Sequence, residues 1–391
     1  MKILISSVHA GRSAGTWYAI ETARRLAARG HDIVYLPRPF PEELGRPRDA
    51  GLAVIDNLDL EQKGPARAYR NLRRLSRIIA ELAPDAVLAY GGEDHAFWGL
   101  AKRLWARRRM ALIRVRVLDP KAPKRHPLAR WLNRSATDAH VTANSRHYQE
   151  YQHRLRVPPG KLRIIEAGID PADFADLSDA AFAANEVTWP ADRLAVVMVA
   201  RFAPIKGYRV LLAAAGKVRR QHPEAHFFFV GYPLDYTKAD LERWLVEANL
   251  VDAITIIDRR LPQLPALLSR CAVGVVASVG SETVSRSLLE YLASGLPVAA
   301  TDVGGVPDLL ARGAFGRLVP PDNADALAEA IGGLLADDAG RRASGAQGRE
   351  YVLQNCTWEK RVDQWEDVLA RTVANVRGTA SSLPTRPGAG S

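Results

Sequence analysis

The sequence predicts an α/β protein built from two parallel-sheet units in tandem. Short apolar stretches that fit strands alternate with helical stretches; the alternation breaks once, at residues 174–192, and then restarts. Such alternation is typical of parallel sheets whose two faces are covered by helices. The chain has 391 residues, 47% of them hydrophobic and 25% charged, which is ordinary globular composition and enough for two domains.

The first half of the chain begins with an apolar strand at 1–7 and a helix at 16–29, which Gly30 ends. A second helix is predicted at 67–83, because its leucines and isoleucines recur at helical spacing on one side. A basic helix is predicted at 97–109. The other strands of this half are predicted at 31–37, 84–92, 111–119, 138–144 and 162–166.

Residues 174–192 are rich in Ala and Asp, and we predict a linker there. Helices at 208–221 and 238–249 then alternate with strands, and one or two helices are expected within 351–377. The end of the chain is polar and rich in Gly, Pro and Ser, which favours disorder. The strands of this half are predicted at 193–202, 225–231, 253–257, 271–277, 297–300 and 317–319.

Composition excludes several classes of protein. Only two cysteines occur, Cys271 and Cys356, so a disulfide framework is excluded and a reducing cytoplasm is expected. No stretch approaches the roughly 18 apolar residues of a membrane span, and no Cys/His spacing indicates a metal site. The net charge is +11, and thirteen basic but only three acidic residues fall between 101 and 150. Such a basic surface attracts phosphates of nucleotides, anionic lipids or nucleic acids.

A glycine-containing loop joins the first strand to the first helix. Gly11 and Gly15 would let the backbone approach a ligand there, and the helix N-terminus favours an anion. The spacing is not G-x-G-x-x-G, and no suitable acid follows the second strand, so a dinucleotide-dependent dehydrogenase is disfavoured. A ligand-binding loop and a simple tight turn both stay open.

Two cations follow the first strand of the second half. Arg201 ends that strand, and Lys206 lies five residues further on, before a new helix. This position is the carboxyl edge of the predicted sheet, where ligands of open α/β sheets bind. An arginine and a lysine together suit a diphosphate, although a solvated basic loop is the alternative.

Two glutamates lie eight positions apart in a largely apolar stretch. We expect Glu282 in the loop after a strand and Glu290 on the inner side of the next helix, with Ser285 as its N-cap. Buried carboxylates need partners, and sugar hydroxyls would serve. The alternative is that Glu290 pairs with Arg286 on a solvated helix face and Glu282 is a surface acid.

At these residues the sequence resembles the retaining glycosyltransferases of family 4. The Glu282-x7-Glu290 spacing followed by ASGLPVAATDVGGVPDLL resembles that family's donor-site signature, and ARFAPIKG resembles its diphosphate clamp. ARRLAARGHDI resembles the family's first helix and second strand, and VTANSRHYQEYQHRLRVPPGKLRIIEAGID resembles the segment that closes its first domain. The likeness covers most of residues 1–375.

The resemblance implies the GT-B fold, which consists of two Rossmann-like parallel-sheet domains facing an interdomain cleft. It implies an acceptor-side domain at 1–175 and a nucleotide-sugar-binding domain at 190–357. The C-terminal helix, 359–378, is expected to pack back on the first domain, and 379–391 are expected to form a disordered tail.

The resemblance also implies roles for individual residues. Glu282 would contact hydroxyls of the transferred sugar, and Glu290 would hydrogen-bond the ribose. Arg201 and Lys206 would neutralise the diphosphate leaving group, so these two and Glu282 are the candidate catalytic residues. Gly15 would let the first loop close over the donor, and the distal phosphate would lie among Thr283, Val284, Ser285 and Arg286.

The chain departs from the family pattern in two places. The family usually has small residues after the first glutamate, as in E-G-F-G, whereas Thr283 and its successors are bulkier here. The family often places a histidine near the reacting sugar, where this chain has Arg116 and Asp119. His95 is therefore a further catalytic candidate, and His126 is another histidine that could reach the cleft.

The resemblance predicts a metal-independent, retaining transferase of the hexosyltransferase type. It would move a sugar from a nucleotide-diphosphate sugar, which is a substrate, so no cofactor is expected. The acceptor is expected to be a glycan or lipid-linked molecule of cell-envelope, lipopolysaccharide or glycolipid synthesis. The alternatives are a nucleotide-sugar epimerase or hydrolase of the same fold, and a basic nucleic-acid-binding protein; no recognition motif supports a nucleic acid as partner.

Basic residues between 67 and 134 are interleaved with tryptophans. Trp98, Trp105 and Trp131 lie in or beside this band. Such a mixture suits the interface of a membrane that carries anionic lipid. The expected location is the cytoplasm, with peripheral binding to the inner face of the membrane through this surface; the alternative is a solvated basic face.

Overall fold

The fold is described from a computed structural model, which covers residues 1–7, 13–60, 64–106, 110–117, 125–190, 192–280 and 282–378. The chain divides into two compact units. Unit 1 comprises Met1–Glu166 together with the chain from Glu359 onward, and unit 2 comprises Ala167–Trp358. Each unit contains a parallel sheet covered by helices, which confirms the predicted α/β class. The predicted disordered tail, 379–391, lies outside the described residues.

The sheet of unit 1 has the strand order β3-β2-β1-β4-β5-β6-β7 within the described residues, and all neighbours are parallel. Its central strands are buried from end to end, as expected when helices cover both faces. The strands are β1 Lys2–Ser7, β2 Asp32–Pro37, β3 Ala53–Val54, β4 Ala86–Ala89, β5 Ala111–Arg116, β6 Ala139–Thr142 and β7 Leu162–Ile164.

The helices of unit 1 follow the predicted order. Ser13 caps the first of them by accepting a hydrogen bond from the Thr16 amide. The helix predicted at 97–109 begins earlier, at Gly92, and its last described turn is a π-helix, Lys102–Ala106. The α-helices are α1 Ala14–Ala28, α2 Pro41–Asp49, α3 Pro65–Leu82, α4 Gly92–Ala101, α5 Pro127–Trp131 and α6 Ser145–Arg154, with a second π-helix at Leu132–Ala136.

The sheet of unit 2 has the order β10-β9-β8-β11-β12-β13 within the described part of the chain, again parallel throughout. Its strands are β8 Leu194–Val199, β9 Ala225–Val230, β10 Ile254–Ile257, β11 Val273–Val276, β12 Val298–Thr301 and β13 Gly316–Val319. Its helices are α7 Asp179–Ala183, α8 Tyr208–Gln221, α9 Lys238–Glu247, α10 Leu264–Leu268, α11 Arg286–Ala293, α12 Val306–Leu309, α13 Ala324–Ala336 and α14 Asp338–Asn355.

The stretch predicted as a linker, 174–192, packs against the sheet of unit 2. Trp189 stacks on Phe228 of β9 with ring centroids 5.0 Å apart, and Phe182 of α7 meets the Trp189 ring edge-on. The buried Asn185 side chain bonds the backbone of Gln263 through both its nitrogen and its oxygen. The linker prediction rested on the Ala and Asp content of the stretch and overlooked Phe182, Asn185 and Trp189, which attach it to unit 2.

The C-terminal helix, α15 Trp358–Arg377, lies in unit 1 from Glu359 onward. Arg361 pairs with Glu166 at 2.8 Å, and Asp363 pairs with Arg29 of α1 at 3.0 Å. The chain therefore returns to unit 1 after completing unit 2. Among the described residues, no helix combines the length and apolarity needed to cross a membrane.

Candidate active site

The strand order of unit 2 predicts where a ligand binds before any side chain is considered. From β8 the chain passes to β9 on one side, whereas β11 lies on the other side of β8. The chain therefore continues from β8 and from the neighbouring β11 toward opposite sides of the sheet. Open α/β sheets bind ligands at this kind of switch point.

The β8 loop approaches β11 closely because of one glycine. Gly207 has φ +73°, and a Cβ at this position would collide with the carbonyl oxygen of Ala277, just after β11. The turn Pro204–Lys206 precedes it, and the Val279 amide donates to the Ile205 carbonyl at 3.0 Å. Backbone contacts thus fix Lys206 beside the β11 loop.

Glu282 is buried at this junction. Its Oε1 accepts a hydrogen bond from Ser278 Oγ at 2.6 Å and forms an ion pair with Lys206 Nζ. Its carbonyl oxygen accepts from the Gly305 amide at 2.9 Å. Gly304 has φ +57°, and a Cβ there would collide with the Glu282 backbone. Gly304 and Gly305, the glycine pair after the second glutamate, therefore pack directly against the backbone of Glu282.

Glu290 lies on α11 and pairs with Arg286 at 2.8 Å, one helical turn earlier. The Glu290 side chain is only 14% exposed, whereas that of Arg286 is 57% exposed. Burial raises the pKa of Glu290, and the positive charge of Arg286 opposes that rise. The i, i+4 pair that the sequence allowed does form, but Glu290 is on the inner side of the helix.

The N-terminus of α11 is polar and buried. Ser285 occupies the N-cap position but makes no capping hydrogen bond. Its hydroxyl is buried and has no hydrogen-bond partner among the described residues. Thr283 and Val284 are buried beside it. The first amides of a helix have no intrahelical partner, so this end can receive an anion.

Arg201 follows β8 and is partly exposed. It forms no ion pair with a carboxylate in the part of the chain that the structure describes. The structure therefore brings Lys206 and Glu282 into contact, and Arg286 with Glu290, while Arg201 shares only the β8 edge with Lys206.

The candidates of unit 1 are placed differently. Gly15 was predicted in the loop before the first helix, but the helix begins at Ala14 and Gly15 is buried in its first turn. Gly11 lies outside the described residues. His95 is buried, and its Nε2 lies 2.7 Å from Thr137 Oγ1. Burial holds the pKa of His95 well below its usual value, and the nearby Arg114 adds to the effect.

The positions of unit 1 at which the chain departs from the family pattern differ in what the structure shows of them. Arg116 is buried and pairs with Glu150 at 2.7 Å. Asp119 falls outside the described residues. His126 caps α5, since its Nδ1 accepts from the Ala129 amide at 3.1 Å. Whether His95 or His126 takes part in the reaction stays a prediction.

Two family profiles match the chain. The profile described as Glycosyl transferases group 1 matches residues 193–337, and that of Glycosyltransferase Family 4 matches residues 15–173. The chain belongs to the family 4 glycosyltransferases of group 1. The first match contains Lys206, Glu282 and Glu290 of this glycosyltransferase, and the second contains Gly15 and His95.

Curated relatives are between 26% and 32% identical to the chain over the residues that align. A GDP-mannose-dependent alpha-(1-6)-phosphatidylinositol monomannoside mannosyltransferase of Mycolicibacterium smegmatis is 29% identical, over 76% of this glycosyltransferase and 79% of the relative. A D-inositol 3-phosphate glycosyltransferase of Stackebrandtia nassauensis is 30% identical, over 63% of this chain and 58% of the relative. The match thus spans little more than half of the second relative.

Solved structures show the same fold. A glycosyltransferase from Rickettsia africae superposes with a TM-score of 0.85 at 17% identity, covering 96% of this chain and 99% of that one. HepE of Anabaena in complex with UDP superposes with a TM-score of 0.79 at 18% identity, covering 95% and 100%. These likenesses confirm the GT-B fold that the sequence motifs implied.

Sequence reasoning missed two residues near the site of this glycosyltransferase. Ser278 bonds the Glu282 carboxylate, and Thr301 Oγ1 donates to the Ser278 carbonyl at 2.7 Å. Both are polar residues at or just after the carboxyl end of an apolar strand, β11 and β12. That position could have identified them, because polar side chains there face the ligand edge of the sheet.

Proposed function

We propose that this glycosyltransferase moves a sugar from a nucleotide-diphosphate sugar to an acceptor hydroxyl with retention of configuration. The donor binds at the carboxyl edge of the unit 2 sheet. The observation that carries this proposal is the ion pair between Lys206 and Glu282 at the β8–β11 switch point. It joins a cation suited to phosphate with a carboxylate suited to sugar hydroxyls.

The phosphate side of the site is built from positive charge and helix geometry. Lys206 and Arg201 neutralise the charge that develops on the diphosphate as the sugar C1–O bond breaks. The distal phosphate binds at the N-terminus of α11, where the buried Ser285 hydroxyl has no partner among the described residues. Because protein cations supply the charge in this scheme, we expect transfer to persist in the presence of EDTA.

The sugar side of the site consists of the two glutamates. Glu282 contacts hydroxyls of the transferred sugar, and Glu290 contacts the ribose. Both follow β11 on one loop-and-helix segment. We propose that they bind the donor from one side, unlike the two glycosidase carboxylates that flank the scissile bond. The acceptor then attacks from the face that the leaving group vacates, which gives retention.

We propose an acceptor from cell-envelope glycan or glycolipid synthesis. The Mycolicibacterium smegmatis relative is named as a mannosyltransferase of phosphatidylinositol monomannoside, a lipid-linked glycan. Unit 1 offers a surface suited to such an acceptor, because Leu104 and Trp105 of the first π-helix are 60% and 45% exposed. Exposed arginines lie on α3, which packs against α4 and its π-helical extension. A surface of this kind binds anionic lipid.

Replacing Lys206 tests the proposed donor site. We expect Lys206→Ala to lower kcat by roughly 10²–10³-fold, as loss of a group that stabilises transition-state charge does. The assay follows sugar transfer from UDP-, GDP- and ADP-sugars, with donor alone and with acceptor, in the presence and absence of EDTA. Product formed from donor alone would indicate an epimerase or hydrolase.

Lys217→Ala is the matched control, because Lys217 forms an ion pair with Asp325 at the surface of unit 2. It should transfer sugar at the wild-type rate. A folded Lys206→Ala protein that also keeps the wild-type rate would refute the diphosphate role of Lys206.

A further inference from the structure

The two oxygens of the Glu282 carboxylate have different surroundings. Oε1 takes the ion pair with Lys206 and the 2.6 Å hydrogen bond from Ser278. Oε2 has no hydrogen-bond partner among the residues that the structure describes. The Glu282 side chain is only 7% exposed, and its loop follows β11 at the switch point of the sheet. One oxygen is held by the protein, and the other is available to a ligand.

Ser278 is itself fixed from two sides. Its carbonyl oxygen accepts from Thr301 Oγ1, at the end of β12, at 2.7 Å. The next residue, Val279, donates its amide to the Ile205 carbonyl at 3.0 Å. Both Ser278 and Thr301 are almost completely buried. The Ser278 hydroxyl therefore points at Glu282 from a backbone that neighbouring segments hold in place.

Lys206 has two uses that compete. In the structure its ammonium group pairs with Glu282. In the proposed function the same ammonium group neutralises the donor diphosphate. Its ion pair with Glu282 is then weakened or broken. Ser278 is then the donor that stays on Oε1.

We propose that Ser278 is a positioning residue that holds Glu282 Oε1 and so presents Oε2 to a hydroxyl of the donor sugar. This role rests on the proposed function. It predicts that Ser278 contributes to binding of the sugar portion of the donor and not to binding of its nucleoside diphosphate portion. A hydroxyl that merely supports the fold would affect both.

Isothermal titration of the full-length protein separates the two portions. The probes are UDP-glucose, GDP-mannose and ADP-glucose, each measured against its own nucleoside diphosphate. One of these nucleotide sugars is expected to bind the wild-type protein. Ser278→Ala should raise its Kd about tenfold, which is the effect of losing one hydrogen bond to a charged group. The Kd of the matching diphosphate should change less than twofold.

Two further variants complete the test. Ser278→Thr keeps the hydroxyl and should restore much of the sugar-nucleotide affinity. Ser294→Ala is the matched control, because Ser294 of unit 2 is also buried but its hydroxyl has no partner among the described residues. Its affinities should equal those of the wild type.

The outcomes distinguish this role from the proposed function. Wild-type protein that binds none of the three nucleotide sugars would overturn the proposed function and the role of Ser278 with it. Normal binding by wild type and by Ser278→Ala alike would overturn the role alone. An equal loss of nucleotide sugar and diphosphate affinity in Ser278→Ala would also overturn it, because the hydroxyl would then only support the fold.

Discussion

Single residues decide how closely the loops of the proposed donor site approach one another. Gly207 lets the β8 loop touch the end of β11, and Gly304 lets the β12 loop touch the backbone of Glu282. Both have positive φ, which residues with a Cβ adopt at a cost. The positions of Lys206 and Glu282 therefore depend on two glycines that let their loops approach closely.

Substituting Gly207 tests this dependence. Gly207→Ala should lower the free energy of unfolding of unit 2 by about 1–3 kcal/mol, the usual cost of backbone strain at one residue. It should also weaken donor binding, because the Ala277 carbonyl must move away from Lys206's loop. Thermal unfolding and titration with the nucleotide sugar measure the two effects.

Gly333→Ala is the control for that substitution. Gly333 lies in α13 with ordinary helical φ, and a Cβ there would meet nothing within 4 Å. We expect unchanged donor affinity and a small gain in stability, since Ala favours helix. The dependence on Gly207 would be wrong if both variants behaved alike.

At the scale of elements, helix packing sorts the basic band of unit 1 into buried and exposed residues. Lys102 pairs with Asp138, and Arg114 donates to carbonyls after β4, so neither is available at the surface. Trp98 is fully buried. Leu104 and Trp105 of the π-helix stay exposed. So do the arginines of α3, which line a groove of about 500 Å³: Arg67, Arg70, Arg73, Arg74 and Arg77.

Vesicle flotation tests whether this exposed surface binds anionic lipid. Wild-type protein should float with phosphatidylglycerol vesicles at low salt and detach as salt screens the arginines. Trp105→Ala combined with Leu104→Ser should weaken binding about tenfold or more, because two apolar side chains no longer enter the interface.

Val246→Ser is the matched control for the membrane surface. Val246 is as exposed as Leu104 but lies on α9 of unit 2. Its substitution should leave flotation unchanged. Wild-type protein that stays unbound at low salt would exclude the membrane role.

At the scale of the whole molecule, acid should destabilise unit 1, because several of its histidines are buried near arginines. Burial lowers the pKa of His140 and of His147 to about 3, and neighbouring positive charge contributes. His95 shifts in the same direction. In the unfolded chain a histidine titrates near 6.5. Below that pH the unfolded state binds protons that the folded state does not, so acid destabilises unit 1.

The pH dependence of unfolding measures this effect. Between pH 6.5 and pH 4, each such histidine should lower the free energy of unfolding by up to about 1.4 kcal/mol per pH unit. His140→Gln should flatten the dependence by one group's share, because it removes one histidine whose pKa is lowered by burial. Denaturant unfolding of the full-length protein at several pH values gives the slopes. Equal slopes in His140→Gln and wild type would contradict the assignment.

The sequence by itself determined the fold class and indicated most residues of the proposed donor site. The hydrophobic periodicity of strands and helices is a local property of the sequence. The alternation of β8, α8 and β9 could therefore be predicted without knowledge of tertiary contacts. The order of Lys206, Glu282 and Glu290 was also visible, because each follows a strand and strand ends meet at one sheet edge. The family likeness then supplied the roles.

Only the tertiary structure decided which of these side chains meet. Hydrogen bonds between distant segments brought Lys206 to Glu282, and Ser278 entered the site because β11 and β12 are neighbours. Burial likewise separated His95 and Arg116 from the exposed arginines of α3, although all are basic or titratable in sequence. Contact and burial depend on strand order and on the packing of distant elements, which a local pattern does not contain.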